Sequence, residues 1–228
     1  MALSMMAALI GAASVSGLAY GRPPKRHAMI TATAGRLCPP RRHGRVLKKD
    51  RKAVVYEAEF GYGSTDIFGC AGARGASYVL GPPAEFSSQG GGGVQRVTLG
   101  GAMVAYENSS VGRGSGAGDF LVVVRNLANG RLVHKEPTGT RRRPQSEGIG
   151  VGPPTAIVVA SNGSVAWIAE NREATYEAGN LYFEVHARDR SGSRLLAAGT
   201  DLSPKSLRLV GNTLSWTQGG ARRQALLR

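Results

Sequence analysis

The sequence predicts an all-β protein, a β-propeller-like array of about four four-stranded repeats. Three observations carry this expectation. The 228 residues include 33 Gly and 11 Pro but only 6% aromatic residues, a composition that suits many turns. Apolar residues come in short runs rather than long helical stripes. Four segments share an apolar, small-or-apolar, aromatic pattern: Val54-Val55-Tyr56, Val104-Ala105-Tyr106, Val165-Ala166-Trp167 and Leu214-Ser215-Trp216. Their starts lie 50, 61 and 49 residues apart, a period of the length that marks repeat architectures. A β-sandwich or an open stack of sheets would satisfy the same pattern.

At the amino terminus, Met1 to Gly21 carry no charge, and Met5 to Ala13 form an apolar run long enough for a signal peptide. Gly17 and Ala19 place small residues before a cut after Ala19, and Ala32 with Ala34 offer a second cut. Residues 1–21 are therefore expected to be a signal peptide or a membrane anchor, because about twenty uncharged residues also span a bilayer. Residues 22–44 read as a basic arm and residues 45–228 as the repeat domain. Ten of the fourteen net positive charges fall between Arg22 and Lys52, where eleven Lys or Arg face one acid, Asp50. Such a segment attracts polyanions. Arg41, Arg42, Arg45, Lys48 and Lys49 are its candidate binding residues, for nucleic acid or an anionic cell-wall polymer.

Cys38 and Cys70 both lie past the leader, and an even count in an exported chain points to a disulfide. In the chain-entropy picture it would stabilise the fold by roughly 3–4 kcal/mol. Two unpaired buried thiols are the alternative. There is no CxxC, and His27, His43, His134 and His186 share no ligand spacing with the cysteines, so no metal site is expected. No cofactor is expected either.

Each repeat reads as two hairpins. Before the aromatic segment stands a strand and a tight turn: Val97-Thr98-Leu99 with Gly100-Gly101, Ile157-Val158-Val159 with Asn162-Gly163, and Leu207-Arg208-Leu209 with Gly211-Asn212. After it comes a second hairpin, Phe120 to Arg125 turning at Asn129-Gly130 in the second copy, and Leu181 to His186 turning at Ser191-Gly192 in the third. The first copy is looser, with Thr65 to Phe68 turning near Gly72 to Gly75 into Ser77 to Leu80. The last copy ends at Arg222 to Arg228 with only a third strand. Met29 to Thr33 could supply a fourth. Ser87 to Gly93 and Val111 to Gly118 read as exposed loops.

A four-stranded unit cannot bury both faces alone, so the Tyr or Trp of each copy is expected to fill the gap between neighbouring sheets. Tyr56, Tyr106, Trp167 and Trp216 are thus the expected repeat core. On Val165-Ala166-Trp167-Ile168, Glu184-Val185-His186 with Asp189-Arg190-Ser191-Gly192, and Leu207 to Trp216 with Gln218-Gly219-Gly220, the chain resembles secreted β-propeller-like proteins of high-GC bacteria, akin to the TolB-like and WD-repeat families. The resemblance covers most of the chain after Arg45 and implies a secreted scaffold. No Trp-Asp dipeptide closes a repeat, which departs from the WD pattern.

No nucleophile elbow, zinc-protease helix or P-loop is present. Gly114 to Gly118 opens no helical pattern, and Gly148 to Gly152 runs into Pro153-Pro154. Glu170, Glu173 and Glu177 cluster in what reads as a solvated loop, and Tyr56, Glu57, Glu59, Tyr62 and Asp66 form a second aromatic and acidic stretch. The expected function is that of an exported binding or scaffold protein without catalysis, its partner an unknown protein or an anionic cell-wall polymer. A secreted carbohydrate-active hydrolase or lyase, and polyanion binding through the basic arm, are the alternatives.

Overall fold

The computed structural model describes residues 38, 44–59, 63–72, 75–112, 118–140 and 150–228. The expected leader, Arg41, Arg42 and the Met29 to Thr33 segment lie outside them. All the described residues belong to one compact unit, spanning 32–228. Among them are sixteen strands and one short helix.

Four antiparallel sheets follow one another along the chain. The first comprises β1 (Gly44–Lys49), β2 (Ala53–Glu59), β3 (Thr65–Ala71) and β4 (Ser77–Gly81). The second comprises β5 (Glu85–Ser87), β6 (Gly90–Gly100), β7 (Met103–Val111), β8 (Gly118–Asn126) and β9 (Leu132–Pro137). The third holds β10 (Val151–Val159), β11 (Val165–Asn171), β12 (Phe183–Asp189) and β13 (Gly192–Gly199), with helix α1 (Arg172–Ala178) between β11 and β12. The fourth holds β14 (Arg208–Val210), β15 (Thr213–Gln218) and β16 (Ala221–Leu226). In every sheet each strand pairs with its sequence neighbour, so each is a meander built from consecutive hairpins. The turn before each aromatic segment of sheets two, three and four carries a glycine with positive φ: Gly101 at 67°, Gly163 at 91° and Gly211 at 58°. A residue with a Cβ is strained there, and the tight hairpin needs that conformation.

The first strands of sheets one, three and four and the second strand of sheet two neighbour one another in series, β1 with β6, β6 with β10, and β10 with β14. The result is a succession of four antiparallel sheets whose hydrophobic core is divided among the gaps between them. Val55, Ile67 and Leu80 of sheet one meet Val104, Tyr106 and Val123 of sheet two. Val122 and Val124 of sheet two meet Val165, Trp167 and Ala169 of sheet three. Ala166, Ile168 and Val185 of sheet three meet Leu214 and Trp216 of sheet four. The period-two alternation of a strand sends Ala105 and Tyr106, or Ala166 and Trp167, to opposite gaps. Each large aromatic thus faces the sheet that precedes its own. Tyr56 faces away from sheet two, packed with Val54, Cys70, Phe68 and Cys38.

The structure departs from the sequence reading at three elements. Asn171 to Glu177 is not a loop: Arg172–Ala178 is helical, because the Asn171 side chain caps it by accepting from the Ala174 N–H at 3.0 Å and Gly179 ends it at φ 67°. Gly90 to Gly93 is not a loop either but the start of β6, paired with both β5 and β7. Glycine is required because the strands crowd there; a Cβ on Gly92 would lie 2.0 Å from the Ser109 carbonyl oxygen. Finally, the end of the basic segment is strand β1, which completes sheet one; its Lys and Arg masked a strand signal that rests on Val46 and Leu47 alone.

Candidate functional site

Between the outer strands of sheets two and three lies a cleft of about 360 Å³, lined by Glu136, Pro137, Thr140, Trp167, His186 and Ser193 among others. Its floor is set by strand register. Trp167 of β11 stands opposite His186 of β12, and Ala169 opposite Glu184. Glu184 and His186 are two residues apart on one strand, so both face sheet two together with Trp167, while Phe183, Val185 and Ala187 face sheet four.

Trp167 is buried, and its indole Nε1–H donates to the Thr138 carbonyl at 2.7 Å. The His186 ring stacks on it, with centroids 5.3 Å apart and planes at 10°. Glu184 lies underneath at 1% exposure. One carboxylate oxygen accepts from His186 Nε2 at 2.8 Å and from the Thr140 backbone N–H at 3.0 Å. The other accepts from Asn171 Nδ2 at 2.7 Å. Asn171 therefore caps α1 with its oxygen and holds Glu184 with its nitrogen.

Burial alone would raise the pKa of Glu184. The three donors outweigh it, His186 foremost, and bring the group down to about 2. Glu184 is therefore a carboxylate at neutral pH and can only accept hydrogen bonds. It follows that Nε2 of His186 carries a hydrogen, so that whenever the ring is neutral the lone pair sits on Nδ1. Nδ1 has no hydrogen-bond partner among the described residues, and it is not one of their sealed, unsatisfied atoms, so it opens to the cleft.

Across the cleft, Ser193 Oγ donates to Glu136 at 2.7 Å, and Arg188 Nε lies 3.3 Å from the other Glu136 oxygen, too poorly aligned for a hydrogen bond. Burial first, and then the Arg188 charge, push the His134 pKa down, so this imidazole is neutral at neutral pH. The arrangement can orient a polar ligand group against a fixed imidazole, with Pro137 and Trp167 as apolar walls. No set of three His, Cys, Asp or Glu among the described residues could hold a metal ion.

The residues singled out by sequence are not gathered here. Cys38 and Cys70 form a disulfide, Cα to Cα 6.2 Å, behind sheet one. Of the four repeat aromatics only Trp167 lines the cleft. Tyr56 donates its hydroxyl to Ser77 at 2.9 Å, and Tyr106 accepts from Arg125 at 3.2 Å. Arg45 is engaged by Glu57 at 3.1 Å, while Lys48 and Lys49 stand exposed on β1. Glu173 is buried in the first turn of α1, and among the described residues it forms no metal-holding group with Glu170 and Glu177. The Glu184-Val185-His186 triplet was in view in the sequence, and its spacing on a strand could have joined the two side chains. Nothing in the sequence could have added Thr140, 44 residues upstream. No helix among the described residues is long and apolar enough to cross a membrane. Compared with protein-family models, with curated proteins and with solved structures, the chain matches none.

Proposed function

We propose that the chain is exported and acts as a binding protein rather than an enzyme, its sheets a scaffold and its ligand seated in the cleft between sheets two and three. The observation that carries this reading is the Glu184 carboxylate, sealed from water and saturated by three donors. A group held so far below the ordinary carboxylate range offers no proton to a leaving group; it fixes the imidazole above it. That speaks against Glu184 as the general acid of a glycoside hydrolase, which keeps one carboxyl protonated beside one ionised. The Cys38–Cys70 disulfide supports an oxidising compartment, and the leader expected over residues 1–21 supports export.

Two measurements test this. Mass analysis of protein recovered from culture medium, with and without reductant, is expected to show a shortened amino terminus and two fewer hydrogens in the oxidised form; protein found only in the cytoplasm with free thiols would sink the export half. For the cleft, a fragment collection is titrated while the Trp167 indole N–H and His186 ring resonances are followed. Fragments are expected to shift both signals in the native protein and neither in Ser193→Trp, whose ring fills the cleft mouth. Identical shifts in the blocked variant would place binding elsewhere.

A second reading, polyanion binding, is favoured by the exposure of Lys48 and Lys49 on β1. Deleting residues 22–52 would remove β1 with the charges, so the sharper variant is Lys48→Glu with Lys49→Glu. On this reading the double reversal weakens DNA or teichoic-acid binding and flattens its salt dependence; unchanged affinity rejects it.

A further inference from the structure

The protein is strongly basic, with a net charge of +14, yet the side chains around the cleft are built as acceptors. Glu184 fixes the tautomer of the neutral His186 ring, the form in which Nδ1 offers its lone pair to the cleft that His186 lines. Glu136, on the opposite wall, keeps lone pairs beyond the one taken by Ser193, with the Arg188 guanidinium beside it as an ion pair only. Two carboxylates, Glu136 and Glu184, stand against one guanidinium, Arg188, with His134 neutral beside them. An anion entering here would meet a bare lone pair and a carboxylate. A neutral hydroxyl would satisfy the lone pair and leave the charge uncompensated.

We infer that the cleft binds a primary ammonium group on a short apolar stem, which donates one hydrogen to His186 Nδ1 and pairs with Glu136 while its stem lies along Pro137 and Trp167. This deepens the binding function proposed above and rests on it. A volume of about 360 Å³ is near the lower end for ligand sites, roughly 300–1,000 Å³, which suits one side chain or a small amine rather than an oligomer. Lysyl side chains and free peptide amino termini carry the same chemistry. Neighbouring charges sharpen the choice: Arg188 repels a cation, so the ammonium must sit on the His186 side of Glu136, where the imidazole waits.

The test uses the full chain labelled with ¹⁵N-histidine. Long-range proton–nitrogen spectra of the free protein are expected to show His186, assigned by its loss in His186→Gln, with Nε2 protonated and Nδ1 bare. Titration with n-butylammonium chloride is expected to shift Nδ1 toward a hydrogen-bonded value. Sodium butyrate, matched in size and ionic strength, leaves it in place. Glu136→Gln, a change at the cleft rim that keeps the Ser193 contact, weakens the amine response by about tenfold, the effect of losing one charge-assisted partner. An N-acetylated lysine peptide and a lysine-free peptide with a free amino terminus separate the two sources. A response to butyrate and not to butylammonium overturns the ammonium assignment and leaves a binding cleft standing. A bare Nε2 in the free protein overturns the assignment at its root. Silence toward both probes in a folded protein overturns the assignment and the cleft reading together.

Discussion

At the scale of single residues, Glu184 ties acidity to stability. Its pKa stands near 2 in the folded chain against about 4.5 for a free glutamate, so the fold holds the carboxylate more tightly than the unfolded chain does. Stability from this group is therefore complete above pH 4.5 and is lost as pH falls through 4.5 toward 2. The shift corresponds to roughly 3 kcal/mol. Asp189, lowered by its bonds from the Arg228 and Ser191 backbone and from Arg194 in spite of burial, acts in the same direction. Glu107 opposes them, because burial raises its pKa despite Arg96 and Gln95. Urea denaturation should show Glu184→Gln less stable than the native protein at neutral pH by about 2–3 kcal/mol, with the gap closing below pH 3; a constant gap would mean that the carboxylate charge is not what the three donors hold. The two tryptophans make a second comparison. Trp167 Nε1 is bonded to Thr138, whereas Trp216 Nε1 is buried without a partner. Trp167→Phe strands a buried carbonyl and Trp216→Phe strands nothing, so the first should cost about 1–2 kcal/mol more in the same assay. Both rings were visible in the sequence as repeat markers. The polar partner that sets them apart was not, since Thr138 reaches Trp167 from the segment that follows β9.

Elements show where local signals sufficed and where they failed. Hairpins with Gly101, Gly163 and Gly211 at the turn were legible because a positive φ selects residue type directly. Helix α1 was not, because seven residues give no period to read and the capping Asn171 looks like any loop asparagine. The glycine run at the start of β6 was misread because Gly signals a loop by default, whereas here it answers to the approach of β7. Each has a consequence. Asn171→Ala removes both a helix cap and a Glu184 partner, and should destabilise by about 2–3 kcal/mol, beyond the roughly 1 kcal/mol of a cap alone. Asn171→Ser, which can still cap, should recover only the cap's share. Gly92→Ala forces the β6 and β7 backbones apart and should cost about 2 kcal/mol or more; if thermal denaturation finds it neutral, the crowding at Ser109 is relieved in solution.

For the molecule as a whole, the all-β succession of small antiparallel sheets was the most legible feature, since Tyr106, Trp167 and Trp216 each fill a gap between one sheet and the next. The cleft was the least legible, because it forms where two sheets meet and its members come from Glu136 to Ser193. Division of the core into gaps makes a prediction about how stability is distributed. Where each sheet contacts mainly the next, stability approximates a sum over sheets and interfaces rather than one indivisible total. Tyr56 and Trp216 occupy the first and last of these environments, the former backed by the disulfide and the latter by sheet three. Trp216→Ala removes the largest ring from the gap between sheets three and four, a loss on the order of 3–5 kcal/mol. Amide exchange should then accelerate most in β14, β15 and β16, less in β11 and β12, and not at all in β2 and β3. Acceleration that reaches β2 and β3 as strongly as β15 would show either a single cooperative unit or a fourth sheet packed on the first. Serine replacements at Cys38 and Cys70 separate those outcomes. In a serial array they loosen β2 and β3 while β15 stays protected, and in a closed or fully cooperative one the two ends of the chain loosen together.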